Sequence, residues 1–393
     1  MALSSEDSLR LNVMMAQKPK AIRIDESRLV VYALTDKGEA KVPLNPNCLE
    51  DKYLKEVREL LSTHFLGSPG GYPVYLRRWT RMGQERDDIS LGRLLLLGEP
   101  EAVVAVVHAA HLSDEIAARA WWAMPISDNA RRMLHHKEVV EGETGPQLAQ
   151  FLIEFLPFEE EQWAIGESVR LVLQPGLISE AEREKLWGQG QRKNTYWLGF
   201  LAADPDNLPI EAPASPHYEA VREALADLAD TGNAYAVQLL RLLSPNGQAF
   251  LKTMEQVIKK PNNQDVVVGY LRVLSHYFAS TCPECAPQSG VNNTRLHELE
   301  GSEVDMQSLI TLADEYINSA SDEALNAVVE RLPDLGEEIR AMLTLSMVSE
   351  LVINPIFART DAIGTLMRKK LEPVSGPLLE RTGILQGRGP RRS

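Results

Sequence analysis

The chain has 393 residues, of which 44% are hydrophobic, and its formal net charge at pH 7 is -14. This length accommodates two or three domains of about 150 residues, and the apolar content is sufficient for packed cores. The negative charge disfavours binding to nucleic acid or to an anionic membrane surface, because both are polyanions and repel the chain at long range.

The N-terminal segment lacks the features of a signal peptide. Its apolar stretch, Val13-Met14-Met15-Ala16, is brief and has no basic flank. No segment approaches the roughly 20 consecutive apolar residues that a membrane span requires. Three cysteines, an odd number, fit a reducing compartment better than a secreted disulfide framework. We therefore expect a cytoplasmic protein without membrane insertion.

The first 44 residues change from a helical to an extended pattern. A short helix is predicted from Ser5 to Ala16, with Leu9, Val13 and Ala16 on one side. Residues 21–44 then alternate apolar and polar side chains, which predicts two or three short antiparallel strands. Asp36-Lys37-Gly38 is typical of a hairpin turn with Gly in the left-handed position.

From residue 50 onward the pattern is predominantly helical. Residues 50–65 place apolar side chains three or four apart, and this helix is predicted to cover the small sheet. Beyond residue 88, short helices alternate with brief turns, and the last helix is predicted at about 355–371. Four helix starts are marked by side chains suited to cap the first free backbone amides, those of Glu99, Ser113, Ser127 and Ser179. Weak self-similarity is present without a regular period.

The domain organisation follows from these patterns. Three prolines within a short stretch of small and acidic residues, Pro205, Pro209 and Pro213, mark a domain boundary. The predicted organisation is a small α+β region at 1–87, a helical domain at 88–202, a Pro-rich linker at 203–215, a second helical domain at 216–385 and a disordered tail at 386–393. The fold class is therefore mainly α, multi-helical and helical-repeat-like, with a small N-terminal antiparallel β-sheet.

The pair Cys282 and Cys285 is the sharpest chemical feature of the sequence. Two thiols separated by two residues can form a disulfide, share a metal ion, or carry sulfur on one thiolate while the other resolves it. Zinc would require two further ligands, and His276, His297 and Cys48 do not complete a common zinc-site spacing. A redox or sulfur-carrying pair and two incidental thiols in a loop stay open as alternatives. No metal site and no cofactor are predicted.

A second candidate site follows a glycine-rich loop. It consists of residues 77–81 and is named the Arg/Trp segment; its functional side chains are those of Arg77, Arg78, Trp79 and Arg81, together with the preceding Tyr75. Guanidinium groups and aromatic faces are used to recognise anions, nucleotides and protein partners. The glycine spacing matches neither a phosphate loop nor a dinucleotide fingerprint. The segment therefore predicts a partner-binding or anion-binding surface, unless its arginines pair with the abundant carboxylates of the chain itself.

No established catalytic motif runs through the sequence. It contains neither a Gly-x-Ser-x-Gly nucleophile elbow nor a phosphate loop, so no catalytic residue is predicted. Tryptophans are instead expected to fill the space between helices, and these are Trp121, Trp122, Trp163, Trp187 and Trp197.

The stretch from Leu66 to Gln84, which contains the Arg/Trp segment, resembles the DsrS family. These are soluble proteins encoded with the reverse-acting dissimilatory sulfite reductase of sulfur-oxidising bacteria. Residues 8–12 and 20–27 are similar too, and the resemblance is strongest in the N-terminal third of the chain. It implies a cytoplasmic accessory protein of sulfur-compound oxidation, in a family without an assigned catalytic activity or cofactor. No functional residue is carried over from it.

The leading hypothesis is a non-enzymatic accessory or interaction protein that binds a protein partner of the sulfite reductase pathway, or of its regulation, through the Arg/Trp segment. The first alternative is a sulfur carrier or thiol oxidoreductase that uses Cys282 and Cys285. The second alternative is an RNA-binding regulator that uses the Arg/Trp segment, which the net charge disfavours.

Overall fold

The computed structural model describes residues 3–67, 87–261, 263–284, 286, 304–357 and 364–388. Over these residues the protein is mainly α-helical, with one three-stranded antiparallel sheet near the N-terminus, which confirms the predicted fold class. Contacts divide the chain into two units. Unit 1 comprises Met1–Phe158 and Gln174–Ser179, and unit 2 comprises Glu159–Leu173 and Glu180–Ser393. The proline-rich stretch 203–215 therefore lies within unit 2.

The sheet of unit 1 has its strands in sequence order: β1 (Ala21–Asp25), β2 (Val30–Thr35) and β3 (Gly38–Pro43). Thr35 pairs with Gly38 in the register of β2 and β3, so Asp36 and Lys37 form the tight turn that the sequence predicts. Gly38 has a φ of +109°, a conformation that glycine adopts without steric cost. The predicted hairpin is confirmed.

Unit 1 also contains these helices among the described residues: α1 (Ser5–Ala16), α2 (Glu50–Leu66), α3 (Asp88–Leu94), α4 (Pro100–Val107), α5 (Asp114–Ala123), α6 (Ser127–Met133), α7 (Lys137–Val140) and α8 (Thr144–Phe155). The first two pack on the sheet in one core, where Leu11, Val31 and Val57 are fully buried. Leu9 and Val13 lie on the exposed side of α1, at 66% and 55% exposure. The side of α1 that carries them is therefore not the side that packs.

Helices α4, α5 and α6 begin where the sequence predicts, but the capping interactions differ from those expected. Ser113 precedes α5 without a side-chain cap bond, and its hydroxyl is buried with no hydrogen-bond partner among the described residues. Asp114 instead accepts hydrogen bonds from the backbone N–H groups of Glu143 and Thr144, at 3.0 and 3.1 Å. Asp114 thus caps the start of α8 rather than of its own helix.

Unit 2 contains these helices among the described residues: α9 (Gln162–Val172), α10 (Glu180–Gln189), α11 (Thr195–Ala203), α12 (Tyr218–Asp230), α13 (Ala234–Leu243), α14 (Pro245–Lys259), α15 (Gln264–Tyr277), α16 (Met306–Ser319), α17 (Glu323–Arg331), α18 (Gly336–Ser346), α19 (Asn354–Phe357) and α20 (Gly364–Leu385). Helices α11 to α18 and α20 share one large core, to which each of them contributes buried side chains. Helix α18 is the most deeply placed, because every residue from Ala341 to Ser346 is buried.

Helix α20 continues through Pro373 and Pro377, although the sequence predicts a helix end at about residue 371. Proline removes one backbone hydrogen bond and crowds the carbonyl four residues earlier, so it normally ends or bends a helix. Side chains before, between and after the two prolines are buried in the core of unit 2, namely Leu371, Val374 and Leu378. Their packing offsets the lost hydrogen bonds.

Within the described ranges, no single helix is long and apolar enough to cross a membrane; Pro333–Ser346 and Glu350–Phe357 meet that test only as a pair, which is bent by 79°.

Of the predicted tail, residues 386–388 are described. Arg388 forms an ion pair with Glu255 of α14. Residues 389–393 lie outside the described residues.

Candidate functional site

The Arg/Trp segment and part of the cysteine pair fall outside the described residues. The undescribed range 68–86 contains the whole segment and Tyr75, and Cys285 and His297 are also undescribed. Partner or anion binding by the Arg/Trp segment therefore stays a prediction.

Cys282 directly follows a 3-10 turn, Ala279–Thr281, and is half-buried against the core of unit 2. Its Sγ lies 3.9 Å from the carbonyl oxygen of Pro283. Cys48 lies in unit 1, half-buried, with its Sγ 3.7 Å from the carbonyl oxygen of Leu49. In the part of the chain that the structure describes, no three His, Cys, Asp or Glu side chains are grouped to hold a metal ion. A sulfur-carrying role for Cys282 and Cys285 stays a prediction.

A groove of about 760 Å³ lies on unit 2, between α9, α11 and α15, and is named the unit 2 groove. Cavities of about 300 to 1,000 Å³ are typical of ligand-binding sites. Apolar side chains of α11 and α15 line it, among them Leu198, Leu201 and Val273. Pro205 and Asp206, from the stretch predicted to be a linker, complete one wall.

Glycines let the three helices of the groove approach closely. A Cβ atom at Gly199 of α11 would lie 2.6 Å from the Cβ atom of Val169 and 2.8 Å from the carbonyl oxygen of Gly166, both in α9. A Cβ atom at Gly269 of α15 would lie 2.5 Å from a methyl carbon of Leu198. All three distances are shorter than van der Waals contact, so the groove depends on glycine at these positions.

The first ion pair of the groove is formed by Glu167 and Arg170 within α9. Arg170 donates from Nε to Oε2 at 2.9 Å and from Nη2 to Oε1 at 2.7 Å. The hydrogen bonds that Arg170 donates to the Glu167 carboxylate raise the pKa of Arg170, while burial acts in the opposite direction. This two-point geometry holds a guanidinium in one orientation.

The second ion pair joins Asp206 to Arg241 of α13. Arg241 donates from Nε to Oδ1 at 2.8 Å and from Nη2 to Oδ2 at 2.6 Å, and its Nη1 donates to the carbonyl oxygen of Tyr277 at 3.3 Å. Its guanidinium carbon lies 3.8 Å from the centre of the Tyr277 ring. Burial opposes the charge of Arg241, but the hydrogen bonds and charge of Asp206 outweigh it, so the pKa of Arg241 is raised.

Tyr277 lies at the base of this cluster and is 3% exposed. Its hydroxyl is buried, and no described group meets it with hydrogen-bond geometry. Burial raises the pKa of the Tyr277 phenol; the charge of Arg241 opposes the rise and that of Asp206 adds to it. The phenol is therefore protonated at neutral pH.

Trp163 of α9 lines the groove and is 56% exposed. The prediction that it fills space between helices is therefore wrong, because α9 turns this side chain outward. Trp187 and Trp197 do pack together, with ring centres 5.9 Å apart, and the indole N–H of Trp197 donates to the carbonyl oxygen of Trp187 at 3.1 Å. Trp121 packs against Phe151 in unit 1.

Sequence reasoning missed the unit 2 groove as a whole. A signal was available for Glu167 and Arg170, because oppositely charged residues three apart in a helix face each other. For Asp206 and Arg241 no such signal exists, since they are 35 residues apart and belong to different elements. Tyr277 carries no local mark that distinguishes it from other aromatic residues of the core.

Comparisons with protein-family models, with curated proteins and with solved structures each found no match. The fold and the groove define a multi-helical protein with a groove lined by arginines, carboxylates and apolar side chains. Engaged in this way, these charged groups are suited to fix the position of a bound group.

Proposed function

We propose that the chain is a non-enzymatic interaction protein that receives a segment of a partner protein in the unit 2 groove. The observation that carries this proposal is the exposed Trp163 beside two guanidinium groups, Arg170 and Arg241, that carboxylates hold in place. Tryptophan, tyrosine and arginine are the residues that contribute most to protein–protein binding energy. Groups fixed before binding lose little conformational entropy when a partner binds.

The pathway part of the proposal is that the partner belongs to cytoplasmic sulfur-compound oxidation, as a component of the sulfite reductase pathway or of its regulation. Only the resemblance of the N-terminal segments to the DsrS family supports this part. The groove and the resemblance are independent, so either part of the proposal can fail without the other.

The proposal is tested by selecting peptides from a displayed library of random 12-residue sequences on the purified full-length chain. Selected peptides are then measured by isothermal titration calorimetry against the wild type and the variant Trp163→Ala. We expect Trp163→Ala to bind the selected peptides at least about ten-fold more weakly than the wild type, as for an interface residue of high binding energy.

The matched control is Ile89→Ala, which removes another exposed large apolar side chain, 68% exposed, in unit 1. This variant should bind the selected peptides like the wild type. Peptides that bind Trp163→Ala as tightly as the wild type would show that the groove is not their receptor, and the proposal would then be wrong.

A further inference from the structure

The rings of Phe250 and Tyr277 and the guanidinium group of Arg241 follow one another at the wall of the unit 2 groove. Phe250 is fully buried, and its ring centre lies 3.7 Å from that of Tyr277, with an angle of 10° between the planes. The guanidinium of Arg241 lies 3.8 Å from the same Tyr277 ring centre. Two groups this close to one ring cannot share one face, so Arg241 covers the face opposite Phe250.

The outer member of this stack is held in place and partly open to solvent. Asp206 occupies the edge formed by Nε and Nη2 of Arg241, the Tyr277 carbonyl oxygen accepts from Nη1, and the Tyr277 ring covers one face. The side chain of Arg241 is nonetheless 31% exposed and lines the groove. This exposed part is what Arg241 offers to a group bound in the groove.

The charges of the groove favour an uncharged occupant. Three arginines and three carboxylates line it, those of Arg170, Arg241, Arg272, Glu167, Asp206 and Asp265. Arg272 is paired as well, with Glu350. Because the arginines and carboxylates that line the groove are equal in number, the groove offers neither a polyanion nor a polycation a strong net attraction.

An uncharged planar ring is the group that best fits an open guanidinium face. Aromatic rings stack on guanidinium groups through their negative faces, and arginine forms such contacts more often than lysine. Trp163 supplies an exposed aromatic surface on the same groove. The apolar floor formed by Leu198 and Leu201 would bury the rest of such a side chain.

We infer that the partner segment binds through an aromatic side chain that stacks on the exposed face of Arg241 and so extends the row formed by Phe250, Tyr277 and Arg241. This inference rests on the proposed function and specifies its occupant. The chemical class is a tryptophan or tyrosine side chain of a protein, within a segment of low net charge.

The test uses two uncharged probes of similar backbone, N-acetyl-tryptophanamide and N-acetyl-leucinamide, on the full-length protein. Binding is measured by saturation-transfer difference NMR and by titration. The tryptophan probe should bind and the leucine probe should not. Arg241→Lys keeps the positive charge beside Asp206 but removes the planar group. It should lower the affinity for the tryptophan probe by about three- to ten-fold.

Three results would overturn the inference: equal binding of the two probes, unchanged binding of the tryptophan probe to a folded Arg241→Lys protein, or tighter binding of adenosine than of either probe. A circular-dichroism melt of the variant checks its folding. A second variant, Arg241→Gln, removes the charge but leaves a planar amide. We expect it to lower the affinity for the tryptophan probe at least as much as Arg241→Lys does.

The selected peptides separate this inference from the proposed function. Peptides whose binding depends on Trp163 and that are enriched in tryptophan or tyrosine support both the proposed function and the aromatic occupant. Peptides that depend on Trp163 but show no aromatic enrichment leave the proposed function standing and overturn the aromatic occupant. An absence of peptides that depend on Trp163 contradicts the proposed function itself.

Discussion

Each unit contains a cluster that joins an aspartate to a tyrosine, and the two clusters differ in their access to solvent. In unit 1, Asp7 is fully buried and its Oδ2 accepts hydrogen bonds from the Tyr53 hydroxyl at 2.6 Å and from the Asn45 backbone N–H at 2.7 Å. In unit 2, the side chain of Asp206 is 44% exposed and holds Arg241 at the wall of a groove. The same types of group thus lie inside a core in one unit and line an open groove in the other.

The difference teaches that solvent access decides what such a cluster contributes. When a buried polar group loses its partner, no water replaces it, and the full cost of burying that group appears in the stability. When an exposed ion pair is broken, water solvates both groups and the cost is small. Four substitutions can break or sharpen this comparison, and their expected effects decrease in the order given.

The largest effect is expected for Asp7→Ala, which leaves the Tyr53 hydroxyl and the Asn45 N–H without their buried acceptor. We expect the free energy of unfolding to fall by about 3 kcal/mol, because each buried donor left without an acceptor costs about 1 to 3 kcal/mol. Urea unfolding, with hydrogen exchange of unit 1 peptides, measures this change. Glu6→Ala removes an exposed carboxylate from the same helix and should cost less than about 0.5 kcal/mol. Equal effects of the two substitutions would contradict the comparison.

The second prediction concerns the close helix approach at the unit 2 groove. Gly199→Ala places a methyl group against Val169 and the carbonyl oxygen of Gly166, so we expect a loss of about 2 kcal/mol from overpacking. The control is Gly188→Ala in α10, where a Cβ atom meets nothing within 4 Å. That change should be neutral or stabilising by up to about 1 kcal/mol, because alanine has the higher helix propensity. Thermal melts of both variants decide whether the close approach is real.

The third prediction concerns Asp322, which accepts hydrogen bonds from the hydroxyls of Tyr235 and Tyr316 at 2.7 and 2.9 Å and from two backbone N–H groups. Burial acts to raise the pKa of Asp322, but these hydrogen bonds outweigh it and the pKa is lowered. The stability that Asp322 contributes is therefore present above its unfolded pKa of about 3.9 and lost as the pH falls through the folded value.

Asp322→Asn tests this pH dependence. At pH 7 it should cost about 1.5 kcal/mol, through the weaker acceptor that it offers to the two phenols. The difference from the wild type should shrink as the pH falls from 5 toward 3, an interval that brackets the unfolded pKa of about 3.9. Urea unfolding of both proteins at several pH values measures it. A difference that stays constant across this range would show that the charge of Asp322 is not what stabilises the contact.

The smallest effect is expected for Asp206→Asn, the counterpart of Asp7→Ala in the open cluster. Water can replace the lost interaction on both sides, so the cost should not exceed about 1 kcal/mol. Urea unfolding, together with hydrogen exchange of unit 2 peptides, measures this loss of stability. A cost close to that of Asp7→Ala would show that the groove cluster is structural, and the distinction between the clusters would fall.

Much of the secondary structure could be predicted from the sequence. The exceptions arise from contacts with residues that are distant in the chain. The strands, the hairpin turn at Gly38 and helix α13 follow local rules of period and turn chemistry. Helix α20 does not, because its two prolines predict a break that packing against the core prevents. Ser113 marks a helix start correctly, yet the residue that caps is Asp114, and it caps a helix that begins 30 residues later.

The sequence by itself determined the mainly helical class, the small N-terminal sheet and the positions where most helices begin, because these depend on residues within a few positions of one another. Only the tertiary structure decided that Leu9 and Val13 face outward, that Trp163 is exposed, and that Asp206 meets Arg241 beside Tyr277. The physical reason is that a groove is made by side chains far apart in the chain, and their meeting depends on how helices pack, which no local pattern encodes.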